Sequence, residues 1–198
     1  MNRIKEFYKK YGKDLIVPTA VMVCICLVVT LALAVTDEVT SPKIKEITKK
    51  NTESSMKTVM KAESYSEKTL KLEGKTITYY VASNKNEKIG YIFVVDQNGY
   101  GGSVSVMTAV NTDGSIKAAY VLDVSDETPG LGKNAAKQEF YSQFAGKSDA
   151  VSVVKNNPNE KNNEIKAVTG ATITSKAVAR AVNDALTYAE KIISEEGN

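Results

Sequence analysis

Leu15 to Val35 (LIVPTAVMVCICLVVTLALAV) is a run of 21 residues without one charged side chain. As an α-helix it measures about 32 Å, enough to cross the hydrocarbon core of a bilayer. A water-soluble domain has no way to shelter so long an apolar helix at its surface, so the run divides the chain. Residues 15–35 are expected to span a membrane, with Pro18 tolerated in the first turn. Before the run stand Arg3, Lys5, Lys9, Lys10 and Lys13, against Glu6 and Asp14; after it come Asp37 and Glu38. Basic residues favour the cytoplasmic side. The expectation is a single-pass protein of the cell (inner) membrane, its N-terminus cytoplasmic and its C-terminal domain extracytoplasmic. The alternative is a cleaved signal peptide, for which Ala32-Leu33-Ala34 offers a cleavage-like site. The run is longer than the roughly 7–15 apolar residues such signals use.

The net charge of +3 comes wholly from the stub before the run, and residues 36–198 balance to zero. A neutral main domain argues against nucleic-acid binding, which calls for a basic face. There is no histidine, and both cysteines, Cys24 and Cys26, lie inside the apolar run. The outer domain therefore has no disulfide and no thiolate-bound cluster. Nucleophilic catalysis of the Ser–His or Cys–His kind is excluded there too. No carboxylate set has calcium-loop spacing, so no metal site is expected. At positions i and i+2 the cysteines face different sides of a helix and read as packing residues.

The organisation expected is a stub over 1–14, a membrane helix over 15–35, a helical linker over 36–62 and a main domain over 63–198. Ser41-Pro42 reads as a break after the membrane helix, and Lys43 to about Ala62 as one surface helix or two short ones. Thr69 to Ala82 alternates apolar and polar residues about Glu73-Gly74, a hairpin signal. Ile89 to Val95 is a short apolar strand. Ser103–Val110 and Ile116–Leu122 flank the turn Asn111-Thr112-Asp113-Gly114. Asn134 to Phe144 is helical in pattern, Val151–Val154 is a short strand, and Asn156–Asn163 is a polar loop. About Thr174 to Glu195 forms a last amphipathic helix. Strands in the middle with helices at the ends read as an α+β domain built on an antiparallel sheet.

Two glycine motifs carry nothing. Gly74-Lys75-Thr76 lacks the earlier glycine of a phosphate loop, and Gly130-Leu131-Gly132-Lys133-Asn134-Ala135 does not join a strand to a helix in a parallel sheet. The segment VTGATITSKAV, Val168 to Val178, is denser in chemistry. Thr169, Thr172, Thr174 and Ser175 place four hydroxyls within seven residues about Gly170 and Ala171, at the start of a helix. Thr172 or Thr174 can serve as the N-cap. The same hydroxyls, with the free amides of a helix N-terminus, can equally hold a phosphate. The residues alone leave capping and anion binding equally open.

Thr169-Gly170-Ala171-Thr172 resembles the [S/T]-G-A-T motif of the FMN-binding domains in membrane respiratory complexes. Glu127-Thr128-Pro129-Gly130-Leu131-Gly132 resembles the E-T-P-G-L-G loop of that family, and Tyr100-Gly101-Gly102 its glycine-rich element. Val39-Thr40-Ser41-Pro42-Lys43-Ile44 after a membrane helix also fits. Within the family the likeness runs to the G-type subunits of the ion-translocating ferredoxin:NAD oxidoreductase (Rnf) complexes, with the C-type subunits of the sodium-pumping quinone reductases second. Two positions depart from the family pattern: Lys166 where an Asp is frequent, and Ser125 where a His is frequent.

The resemblance implies FMN covalently attached through its phosphate to the Thr172 hydroxyl by a flavin transferase. Thr169, Gly170, Ala171, Thr174 and Ser175 would shape the phosphate pocket, with Glu127 to Gly132 and Tyr100 to Gly102 near the flavin. It implies an electron-relaying subunit without a complete active site of its own, partnered by other membrane subunits of the complex. The alternatives are a free-standing extracytoplasmic flavinylated electron carrier, or an anchored binding or sensory module without flavin.

Overall fold

The computed structural model describes residues 2–72 and 74–196. The chain divides into two units, Met1–Lys50 and Asn51–Asn198. Helix α1 runs Asn2–Val59 and contains both Pro18 and Pro42. Within it, Ile16–Ile44 is long and apolar enough to cross a membrane. Leu27, Val28, Leu31 and Leu33 along this stretch are about two-thirds exposed, an arrangement suited to a lipid surround rather than water. Thr30 and Thr36 return their hydroxyls to the carbonyls of Cys26 and Ala32, at 2.6 and 2.8 Å. These hydroxyls are thus satisfied within the helix. The break expected at Ser41-Pro42 does not occur. A proline inside a helix removes one donor, and the turn before it is tied by Thr40 to the Thr36 carbonyl and by Ser41 to Asp37.

The second unit is built on one antiparallel meander. Strands β1 (Ser64–Leu72), β2 (Lys75–Asn84), β3 (Glu87–Asn98), β4 (Ser103–Asn111) and β5 (Ile116–Asp123) lie side by side in chain order. The first hairpin pairs Leu72 with Lys75 and Leu70 with Ile77; of its expected turn, Gly74 has φ +79° and Glu73 lies outside the described residues. The Asn111 to Gly114 turn closes as expected, with the Gly114 amide on the Asn111 carbonyl at 3.0 Å.

Period-two alternation sorts the strands onto two cores. Tyr91 and Phe93 in β3, with Val104 and Val106 in β4, face helix α3 (Thr172–Glu196). Ile92, Met107 and Ala109 point the other way and are sealed by Met56, Val59 and Met60 at the end of α1. Helix α3 meets the sheet through Ala177, Ala181, Ala185 and Ala189, all fully buried. This i, i+4 ridge of small residues allows the helix axis to lie close to the strands.

The segment Asn134–Phe144 is not one helix. It divides into a 3-10 turn over Gly132–Ala136, helix α2 over Gln138–Tyr141 and a second 3-10 turn over Ser142–Phe144. Ala135, Phe140 and Phe144 are all buried. Five residues of α-helix would turn Phe140 about 140° away from Ala135, and extended Lys137 (φ −79°, ψ 140°) resets the phase. The expected strand near Val151 is present as β6 (Ser152–Val154). Its parallel partner β7 (Glu164–Lys166) is a finding of the structure.

Candidate flavin site

Three segments meet at the N-terminus of α3. The first is the turn between β3 and β4, closed by the Gly99 amide on the Gly102 carbonyl at 2.8 Å. The second is the loop Glu127 to Gly132. Its tight return is fixed by the amides of Leu131 and Lys133 on the Thr128 carbonyl, both at 3.2 Å, and by the Asn134 side chain on the Gly130 carbonyl at 2.6 Å. The third is the stretch from β7 into α3. Arg180 and Gln97 tie α3 to the end of β3: the guanidinium donates to the Asn98 carbonyl at 2.8 Å, and the Gln97 amide to Asp184 at 2.6 Å.

Between these segments opens a cleft of about 660 Å³, within the range of small-molecule sites. Tyr100, Glu127, Thr128, Leu131 and Gly132 line it, as do Thr169 to Thr172 and Thr174. Lys155, Asn156, Ala167, Val168 and Ile173 also line it. These five were not anticipated. Lys155 and Asn156 come from the loop after β6, and no spacing in the sequence links them to the motif. Ile173 carried a signal: it is a large apolar residue at an outward position of a helix start.

The remaining expected residues lie around the cleft rather than in it. Gly101 and Gly102 back the loop, since a Cβ on either would fall 2.1 or 2.5 Å from Asp126. Gly130 lines a neighbouring cleft of about 590 Å³ together with Lys137 and Lys166. Neither cleft includes Pro129 or Ser175.

The four hydroxyls divide sharply. Ser175 is fully buried; it accepts from the Val168 amide and donates to the Ala171 carbonyl, both at 2.9 Å. Thr174 is 1% exposed and donates to Glu127 at 2.8 Å. These two fasten the helix start. Thr169 is exposed and Thr172 half-buried, and neither hydroxyl has a hydrogen bond among the described residues. The first helical bond runs from the Ser175 amide to the Ala171 carbonyl. Ala171 is therefore the N-cap position and Thr172 the first helical residue, so no threonine side chain caps α3. The amides of Thr172, Ile173 and Thr174 have no acceptor among the described residues, as first-turn amides of a helix generally do not, and such amides can bind an anion. Gly170 enters the helix at φ +76°, a conformation glycine adopts at least cost.

Large apolar side chains exposed in the second unit are Tyr100 (71%), Leu131 (43%) and Ile173 (52%), and all three line this cleft. An isolated exposed residue is ordinary; three converging on one cleft make a surface for a flat apolar group. Free amides and an open hydroxyl on one wall, with apolar side chains at the rim, fit a phosphate joined to an aromatic ring system.

An FMN-binding domain family matches residues 99–187, which run from the glycine turn through most of α3. The fold and this family match thus define an FMN-binding domain. The chain is 35% identical over 190 residues to the G subunit of the Na(+)-translocating ferredoxin:NAD(+) oxidoreductase complex of Acetobacterium woodii, covering 88% of this chain and 87% of that one. It is 44% identical over 117 residues to the G subunit of the proton-translocating ferredoxin:NAD(+) oxidoreductase complex of Clostridium ljungdahlii, a match that covers 59% of this chain and 61% of that relative. The crystal structure of Shewanella oneidensis NqrC shares the fold at TM-score 0.54 and 22% identity, over 65% of this chain and 68% of that one. The C subunit of the Na(+)-translocating NADH-quinone reductase of Parabacteroides distasonis aligns at TM-score 0.52 and 27% identity, over 60% and 63%. The chain belongs to the family of G subunits of ion-translocating ferredoxin:NAD(+) oxidoreductase complexes.

Proposed function

We propose that this chain is the membrane-anchored flavoprotein subunit of such a complex, relaying electrons through FMN joined by a phosphoester to the Thr172 hydroxyl. One observation carries the choice of residue. Of the hydroxyls in the motif, Thr172 alone combines an unengaged oxygen, a place in the cleft and a position on the first turn of α3, where free amides favour a phosphate. A flavin transferase makes the bond during maturation: the Thr172 oxygen attacks the flavin-bearing phosphorus of a flavin dinucleotide, the pyrophosphate linkage breaks, the nucleoside monophosphate leaves and the hydroxyl proton passes to solvent. Bound FMN supplies the redox chemistry; the chain supplies attachment, orientation and electrostatics. The amides of Thr172, Ile173 and Thr174 hold the phosphate. Thr169 and Gly170 keep the approach open, and Tyr100, Leu131 and Ile173 shield the ring. The domain has no substrate-oxidising site of its own, and electrons pass to and from cofactors of partner subunits.

Residues 15–35 lie in the bilayer, 1–14 in the cytoplasm, 36–62 form the helical linker and 63–198 the flavin domain on the outer side. Protease added to intact spheroplasts removes the flavin domain if this orientation is right; protection until lysis reverses it. For the attachment, the protein is made with an active flavin transferase, denatured and run on a gel. Wild type is expected to show flavin fluorescence and Thr172→Ala none. A non-fluorescent wild-type band removes the covalent reading.

A further inference from the structure

Glu127 is a charged side chain placed where a domain would ordinarily put an apolar one. It is 2% exposed, and it is the one buried Asp, Glu, Lys or Arg among the described residues. Its Oε1 accepts from the amides of Tyr100 at 2.7 Å and Gly101 at 3.2 Å, and its Oε2 from the Thr174 hydroxyl at 2.8 Å. Two backbone amides at one oxygen call for an acceptor, and an ionised carboxylate is acceptor-only. Main chain is wrapped around it. A Cβ on Gly99 would lie 2.0 Å from Oε1, and one on Gly132 2.2 Å from Oε2. No lysine or arginine pairs with it among the described residues. The glycine turn, the loop and the first turn of α3 thus close on one carboxylate that also lines the cleft.

We infer that Glu127 is a positioning residue with an electrostatic role: it holds Tyr100 and the start of α3 against the loop, and its unneutralised charge lowers the reduction potential of the flavin in the cleft. The inference rests on the proposed reading that FMN occupies this cleft. A fixed negative charge in a poorly screened site disfavours adding electrons beside it, and burial keeps solvent ions from cancelling it. Three hydrogen bonds stabilise the charge without removing it, so the same group performs both tasks.

Spectroelectrochemical titration of the purified full-length flavoprotein tests this. Glu127→Gln keeps the shape and removes the charge. At a fixed applied potential its reduced-to-oxidised flavin ratio is expected to rise about tenfold over wild type, with the exposed neighbour Asp126→Asn moving it much less. Thr174→Val gives the opposite sign, because the carboxylate loses a donor that partly offsets its charge; it also serves if Glu127→Gln takes up no flavin. An unchanged ratio in Glu127→Gln, or a rise in Thr174→Val, overturns the inference. A wild type without bound flavin overturns the parent reading instead.

Discussion

At the scale of single residues, the hydroxyl cluster of the motif separates into two jobs. Four hydroxyls in seven residues marked the start of α3, yet nothing in their spacing tells Thr172 from Thr174. The difference lies in the helix phase: Thr174 is buried with its hydroxyl on Glu127, whereas Thr172 is half-buried with its hydroxyl unengaged. The partner of Thr174 lies 47 residues away, and no local pattern encodes that distance. Gly170 allows a direct prediction. Its φ is +76°, and a Cβ there would meet a Leu131 methyl at 2.8 Å. Gly170→Ala is expected to cost about 1–2 kcal/mol for the left-handed backbone and to reduce flavin occupancy. Thermal melting with flavin absorbance checks both; an unshifted melt together with full loading would show that this approach is not tight.

At the scale of elements, periodicity carried the strands and the last helix, and it failed where the chain changes phase. The five strands of the meander were legible because their apolar residues either alternate against a core or, in β3 and β4, run on into a core on each face. The parallel pairing of β6 with β7 was not, because three-residue strands show no alternation to read. The split near Lys137 escaped for a similar reason: nothing in NAAKQEFYSQF marks the one extended residue that resets its face. Helix α3 packs its buried face on the sheet, so Leu186→Ala, which empties a buried site, should destabilise by about 2–5 kcal/mol in chemical denaturation.

The far end of α3 is tied to β3 through Glu196, Lys88 and Tyr91. The hydrogen bond from Lys88, then that from Tyr91, holds the Glu196 carboxyl below its ordinary value. The bond to Glu196 raises the Lys88 ammonium. The carboxylate part of this stabilisation is present above about pH 4.3 and lost as acid titrates the folded Glu196. The ammonium part is present below about pH 10.4 and lost as pH rises through the folded Lys88. Both side chains are more than a third exposed, so the contribution stays below about 1 kcal/mol. Lys88→Met should lower the melting temperature slightly at pH 7, by an amount that shrinks as the pH falls through the titration of the folded Glu196; a loss that stays constant into strong acid would assign the effect to packing.

At the scale of the whole molecule, the end of α1 has a second task beyond the membrane. Met56, Val59 and Met60 seal the sheet face formed by Ala82, Ile92, Met107 and Ala109. A chain beginning at Asn51 keeps that seal and should be soluble and cooperatively folded. One beginning at Ser64 exposes the face and should aggregate, as size-exclusion chromatography would show; equal behaviour of the two would deny the seal. The long apolar run of α1 was the most legible feature of the sequence, and the cleft at the start of α3 the least complete, since Lys155 and Asn156 join it only through the fold. The central claim is that the cleft carries FMN on one hydroxyl, and peptide mass spectrometry of protein matured with a flavin transferase tests it most directly. The predicted result is the FMN phosphoryl mass on the peptide containing Thr172, with fragment ions placing it on Thr172. The same mass on Thr169 or Thr174, or an unmodified peptide, would contradict it.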